Sequence, residues 1–186
     1  MHTLEIVGAA TGVVAVWLTT RQKIWCWPVG IVSVLLYVMV FYQARLYATM
    51  GLQVVYVGLA VYGWYAWAKG GRADVPLRVS RASRLTLAVA FSVGLTLTLG
   101  LGAWLGRQTD EALPFTDAAV ASVSLIAQWM QTRKLIENWW LWLAVDGVYV
   151  GMNLSQGLVP TAGLYAIYTA LAVAGLREWR RSMEAA

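Results

Sequence analysis

Charge is what this chain has least of. Only 12% of its 186 residues are Asp, Glu, Lys or Arg, while 60% are hydrophobic, and the mean hydropathy is +0.61. A soluble domain carries about 25% charged residues, so the deficit excludes an ordinary water-soluble domain and points to a bilayer. Cysteine is nearly absent too. Cys26 stands alone, which excludes an internal disulfide and any multi-cysteine metal site. The one histidine, His2, lies at the terminus, so neither a histidine-based metal site nor any other cofactor is expected. The HExxH, GxSxG and Walker patterns do not occur. An intramembrane hydrolase needs two midplane carboxylates, and Asp117 falls at the end of its span, so the chain is expected not to be an enzyme. The first apolar segment has no basic run ahead of it, which favours a retained span over a cleaved signal peptide.

What the chain does have is apolar stretches long enough to cross a membrane, which takes roughly 17–25 residues as a helix. Seven are expected, over residues 4–20, 24–43, 46–68, 85–106, 116–132, 138–155 and 158–176, within one transmembrane domain covering residues 1–186. Gly157 is the expected stop of the sixth, and Pro160 sits in the first turn of the seventh. All but two of the fourteen Lys and Arg residues follow the odd-numbered spans, only Arg45 and Arg107 lying at the other side. The positive-inside rule then expects the N-terminus outside and the C-terminus in the cytoplasm. The net charge of +5 is mostly this asymmetry, so nucleic acid is not an expected partner; the lipid bilayer is.

Residues 1–68 align with residues 113–180 without gaps at an offset of 112, as Trp27 falls on Trp139. Trp17 meets Trp129, Thr20-Arg21 meets Thr132-Arg133, Tyr37 meets Tyr149, Tyr56 meets Tyr168, Gly63 meets Gly175 and Trp67 meets Trp179. Shared membrane composition would match scattered Leu and Val, not Trp, Tyr and Gly in one register. The expected architecture is all-α: a three-helix repeat (4–68), a linking helix (85–106) and a second repeat (116–180). The linking span restores the direction that an odd number of helices inverts, so the two copies run parallel. Transporters built on parallel repeats place substrate at the repeat interface near the midplane.

A ligand without twofold symmetry needs unlike groups from the two copies, so the informative positions are those where the repeat breaks into polarity. Asp146 stands against Val34, Gln128 against Val16, Gln53 against Tyr165, and Trp142 against Gly30. Asp146 lies at the middle of its span, where insertion costs about 2.5–3.5 kcal/mol. No Lys or Arg is expected inside any span to neutralise it. It is therefore protonated and bonded to a neighbouring helix, turned to a water-filled cavity, or turned to a cationic substrate. Trp139, Trp142, Asp146, Tyr149 and Asn153 recur at steps of three and four and form one helix stripe. Gln53, Tyr56, Trp64 and Trp67 follow similar spacing in the third span, as do Thr161, Tyr165 and Tyr168 in the seventh. The candidate substrate-binding set is Asp146, Trp142, Tyr149, Asn153, Gln53, Tyr56, Trp64, Tyr165, Tyr168, Trp139 and Gln128. Aromatic faces around a cation contribute about 0.5–2 kcal/mol each. Trp25, Trp67 and Trp179, at span ends, suit interfacial anchoring, and Trp139 and Trp140 lie close enough to an end to suit it as well.

The stretches "YGWYAW" at 62–67, "PFTD" at 114–117, "TRKLIENWWLW" at 132–142 and "GLREW" at 175–179 resemble the PnuC family of bacterial vitamin transporters. The resemblance covers nearly the whole chain, least in 69–84 and 107–113. It implies a seven-helix, three-plus-one-plus-three fold similar to a full-length SWEET sugar transporter, and homotrimers. It also implies uptake of nicotinamide riboside by facilitated diffusion, with phosphorylation by a cytosolic kinase trapping the substrate, and thiamine or riboflavin as substrates of sister branches. One departure bears on substrate: family members associated with nicotinamide riboside carry Asn where this chain has Asp146. Nicotinamide riboside and thiamine are both small aromatic vitamins with a fixed positive ring charge, which Asp146 suits, and riboflavin is neutral. The expectation is a nicotinamide riboside transporter, with thiamine second. A proton-coupled symporter, or a non-transporting receptor or accessory subunit, are the alternatives that flux measurements separate.

Overall fold

The structure is a computed structural model, and it describes residues 2–43, 45, 47–70, 77–108 and 113–185, without the side chains of 2, 47 and 48. Seven helices run through the described residues: α1 (His2–Thr20), α2 (Cys26–Gln43), α3 (Tyr47–Lys69), α4 (Arg84–Gln108), α5 (Pro114–Thr132), α6 (Asn138–Ser155) and α7 (Val159–Glu184). Six of the seven follow the expected spans closely. The seventh runs on to Glu184 instead of stopping near residue 176, because nothing in "LREWRRSME" breaks a helix and its charges lie beyond the apolar run. Arg72, one of the loop cations, lies outside the described residues.

Four helices, α1, α2, α4 and α7, are both long and apolar enough to cross a membrane. The other three are long enough, but dilute their apolar runs with the polar residues singled out above, Gln53 in α3, Gln128 in α5, and Asp146 and Asn153 in α6. Burial follows the same division. Large apolar side chains face outward, Leu85 and Phe91 of α4 being 74% and 73% exposed, while Thr19, Ser33, Ser122, Ser124, Thr132, Asn138 and Asp146 are buried. That is the arrangement expected where lipid, not water, is the solvent and polar or small residues hold helices together.

Local sequence sets the helix ends. Pro114 opens α5 and Pro160 opens α7, where a missing N–H costs nothing. Gly157 ends α6 with φ +74°, and the Leu158 N–H bonds the Asn153 carbonyl at 2.8 Å, the reverse turn expected of glycine there. The same turn closes α1 and α5, with Gln22 (φ 53°) and Lys134 (φ 51°) in the glycine position. Lys23 N–H bonds Leu18 O at 3.0 Å, and Leu135 N–H bonds Met130 O at 3.0 Å. Each of these pairs is 112 residues from its counterpart.

Packing obeys the same offset. α2 lies against α1 and α3, and α6 against α5 and α7; α1 meets α7 while α3 meets α5, and α4 rests on α5. Trp27 meets Trp67 edge-on at 5.3 Å, as Trp139 meets Trp179 at 5.3 Å. The two pairs need glycine beneath them, since a Cβ at Gly63 would enter the Trp27 ring and one at Gly175 the Trp139 ring. Gly63→Ala and Gly175→Ala are each expected to destabilise the protein by about 1–3 kcal/mol through overpacking, read as a lower thermal midpoint in detergent. Gly51→Ala and Gly163→Ala, whose surroundings are open, are expected to leave the midpoint unchanged or raise it. Equal effects at all four sites would contradict this packing.

The linking segment breaks the symmetry. Ser80 pairs with the turn after α5, its N–H bonding Lys134 O at 3.1 Å while its carbonyl accepts from Ile136 N–H at 3.0 Å. Glu137 takes the Ala82 N–H at 3.0 Å, and Val79 is buried beside Ile136, Trp139 and Leu176.

Candidate functional site

Every helix except α4 contributes to a cavity of about 390 Å³ that runs between α1–α3 and α5–α7. That is within the size range of small-molecule sites, about 300–1,000 Å³. All eight residues at the four unlike positions named above line it: Asp146 and Val34, Gln128 and Val16, Gln53 and Tyr165, Trp142 and Gly30. One pseudo-symmetric frame therefore presents unlike groups to a single space. Trp139, Tyr149, Tyr56 and Tyr168 line it as well.

Asp146 is 5% exposed, yet among the described residues it has no hydrogen bond or ion pair. A carboxylate bonded to a neighbouring helix is thus not what the structure shows; Asp146 faces the cavity. Among the described residues no Lys, Arg or His lines that cavity. Its walls are aromatic. Tyr149 and Tyr165 stack at 4.4 Å with 18° between planes, Tyr168 meets Tyr165 edge-on at 6.1 Å, and Tyr37 stacks on Phe41 at 5.9 Å. Gly12 lets Tyr168 approach, because a Cβ there would lie 2.5 Å from its hydroxyl. The Trp142 indole N–H donates to Gln131 Oε1 at 3.3 Å, which fixes its ring over the cavity. Gln53 and Gln128 keep their amides uncommitted among the described residues.

Behind Trp27 and Trp139, which line the cavity, stands a tryptophan cluster. Trp67 and Trp179 meet at 6.1 Å across the two halves, linking the Trp27 and Trp139 pairs into one cluster. The Trp67 indole N–H donates to the Gln131 carbonyl at 3.3 Å, and the Trp179 indole N–H to the Thr19 carbonyl at 3.0 Å. These bonds are counterparts under the 112-residue offset, each half latching onto the other. Above them Lys134 places its ammonium 4.4 Å over the Trp67 ring and donates to Gln22 Oε1 at 3.2 Å. Burial holds that ammonium below the usual lysine range.

Two expected site residues lie elsewhere. Asn153 turns its amide to the Tyr149 carbonyl of its own helix at 2.7 Å, so the α6 stripe leaves the cavity after Tyr149. Trp64 is 43% exposed on the outer face of α3, its neighbour Gly63 taking the inward place. Trp67 and Trp179 are corrected in the opposite sense: they are not interfacial anchors, Trp179 being wholly buried in the latch. Trp25 and Trp140 remain exposed, as anchors are. Tyr37, Ser33, Ser124, Gln131, Cys26 and Trp27 line the cavity without having been singled out. Tyr37 and Trp27 were legible as counterparts of Tyr149 and Trp139; a search for differences between copies passes over positions where both copies agree.

Comparison with known proteins finds the family described as nicotinamide mononucleotide transporter over residues 2–181. The nicotinamide riboside transporter PnuC of Escherichia coli is 28% identical over 96% of this chain and 85% of its own length. The riboflavin/roseoflavin transporter RibM of Streptomyces davaonensis is 32% identical over 94% and 83%. A crystal structure of the vitamin B3 transporter PnuC superposes with a TM-score of 0.78, covering 98% of this chain and 82% of that one at 24% identity.

Proposed function

The chain belongs to the nicotinamide mononucleotide transporter family, to which it matches along nearly its whole length, and from that premise we propose that it carries nicotinamide riboside into the cell by facilitated diffusion. The observation that carries this reading is Asp146 in an aromatic cavity, with no ion-pair partner and no basic residue in the lining among the described residues. A ring with a fixed positive charge gains from both the carboxylate and the aromatic faces. A phosphate finds no donor cation there and meets the repulsion of Asp146. The site therefore supports the riboside named for the PnuC relatives over the mononucleotide in the family's description. Refusal of the phosphorylated form lets a cytosolic kinase trap what has entered.

In this reading the binding residues are Asp146, Trp142, Tyr149, Tyr165, Tyr168, Tyr56, Gln53 and Gln128, with Trp139 beside the tryptophan cluster. The two halves are parallel three-helix repeats about α4, similar to SWEET transporters, and rock about the shared axis to expose the cavity to either side. The matched latch bonds, Trp67 to Gln131 and Trp179 to Thr19, support that symmetry. With the basic loops in the cytoplasm, the latch acts as the cytoplasmic gate. Riboflavin is the second reading, favoured by the 32% identity to RibM; a neutral flavin leaves Asp146 without a role.

Flux of labelled vitamin into liposomes holding the purified protein tests the proposal. Nicotinamide riboside is expected to equilibrate, with no accumulation under a pH gradient and at least about tenfold slower entry of the mononucleotide. No flux with intact binding would indicate a receptor, and accumulation driven by protons a symporter. Asn153→Ala and Trp64→Ala are expected to change riboside affinity by less than about twofold, because neither side chain reaches the cavity. A tenfold loss at either would contradict the cavity assignment.

A further inference from the structure

We propose that a groove at the end of α7 is a site for one anionic phospholipid. α7 outruns its expected span by about two turns, and this extension forms, with the first turn of α6, a groove of about 370 Å³. Its lining divides by burial: Leu176 is buried and Val173 half-buried, giving an apolar base, while Trp140, Arg177, Arg180 and Arg181 are exposed around it. A phospholipid offers the matching pair, an acyl chain for the base and a phosphate for the arginines, with Trp favoured at the interface between them. The arginines recur at steps of three and one, which puts them on one helix face. None has an ion-pair partner among the described residues, although Glu184 lies in the same groove. The rim thus keeps a positive excess that suits an anionic headgroup and not a zwitterionic one.

Basic grooves beside membrane helices take lipid phosphate in this way. At the counterpart positions of Trp140, Arg177 and Arg180 the first copy carries Pro28, Tyr65 and Ala68, and only Arg181 falls on another basic residue, Lys69, so the internal repeat does not account for most of the lining. A free phosphate would satisfy the arginines and leave the apolar base and Trp140 without purpose.

Native mass spectrometry of the full chain in detergent, titrated with phosphatidylglycerol and phosphatidylcholine of matched acyl chains, tests the site. One phosphatidylglycerol is expected to bind at least about tenfold tighter than phosphatidylcholine. The Arg177→Gln/Arg180→Gln/Arg181→Gln variant is expected to lose that preference, a juxtamembrane arginine being worth roughly fivefold. Arg78→Gln/Arg81→Gln/Arg84→Gln, which removes three exposed arginines outside the groove, is expected to keep it. Should the first triple variant fail to fold, Arg180→Gln alone is expected to weaken binding several-fold. The proposal is overturned by equal binding of both lipids, by equal loss in both triple variants, or by full displacement of the lipid with millimolar inorganic phosphate, which would mean a free-anion site.

Discussion

Asp146→Asn is expected to lower the affinity for nicotinamide riboside about ten- to hundredfold while leaving the fold intact. The carboxylate is buried, faces the cavity and has no partner among the described residues, so the asparagine breaks no protein contact. What it removes is a negative charge close to a positive ring. At an effective dielectric near 20, two unit charges about 5 Å apart attract by roughly 3 kcal/mol. Part of that is offset by the desolvation of both ions, which leaves about 1.4–3 kcal/mol, or the stated loss. Riboflavin, being neutral, is expected to bind both forms with similar strength. Calorimetric titration of the purified protein checks this. An unchanged riboside affinity would make Asp146 a structural residue.

Trp179→Phe is expected to loosen the latch, and Trp179→Ala to cost about 3–5 kcal/mol of stability. Phenylalanine keeps most of the ring but loses the donor to the Thr19 carbonyl, a net contribution of about 1 kcal/mol. A bond of that worth held only in the closed state changes the open population roughly fivefold. Cys26 is a built-in reporter. It is the sole cysteine, it lines the cavity, and it packs beside Trp27 and Trp67 of the proposed gate. Labelling with a membrane-impermeant maleimide from the side of the basic loops is expected to be slow in the wild type and about fivefold faster in Trp179→Phe. Trp67→Phe, its counterpart, is expected to act alike because it loses the matching bond to Gln131. Fast labelling of the wild type from that side would mean that the tryptophans do not close the cavity.

Much of this was legible in the sequence, for definite physical reasons. Long apolar runs set the seven helices, and Gly157 and Pro160 marked their join, because bilayer thickness and backbone chemistry leave few alternatives there. The repeat register was legible through Trp, Tyr and Gly, which lipid exposure alone does not align. The four unlike positions at Asp146, Gln128, Gln53 and Trp142 all reach the cavity, whereas Asn153, which falls on Phe41, does not. Other features depend on depth and packing that spacing does not encode. Helical steps carry the α6 stripe from Tyr149 to Asn153, but the cavity ends before it. A tryptophan at a span end reads as an anchor, and only the contact between the halves turns Trp67 and Trp179 inward. Trp64 and Gly63 are adjacent, and which of them faces in was decided by the Trp27 ring.

In the proposed mechanism Asp146 reads the positive charge of the substrate ring. The most direct measurement compares nicotinamide riboside with its neutral dihydro form, nearly identical in shape, by calorimetry on wild type and Asp146→Asn. The wild type is expected to prefer the cation by at least about tenfold, and the variant to show little preference. A preference of the same size in both proteins would contradict the account.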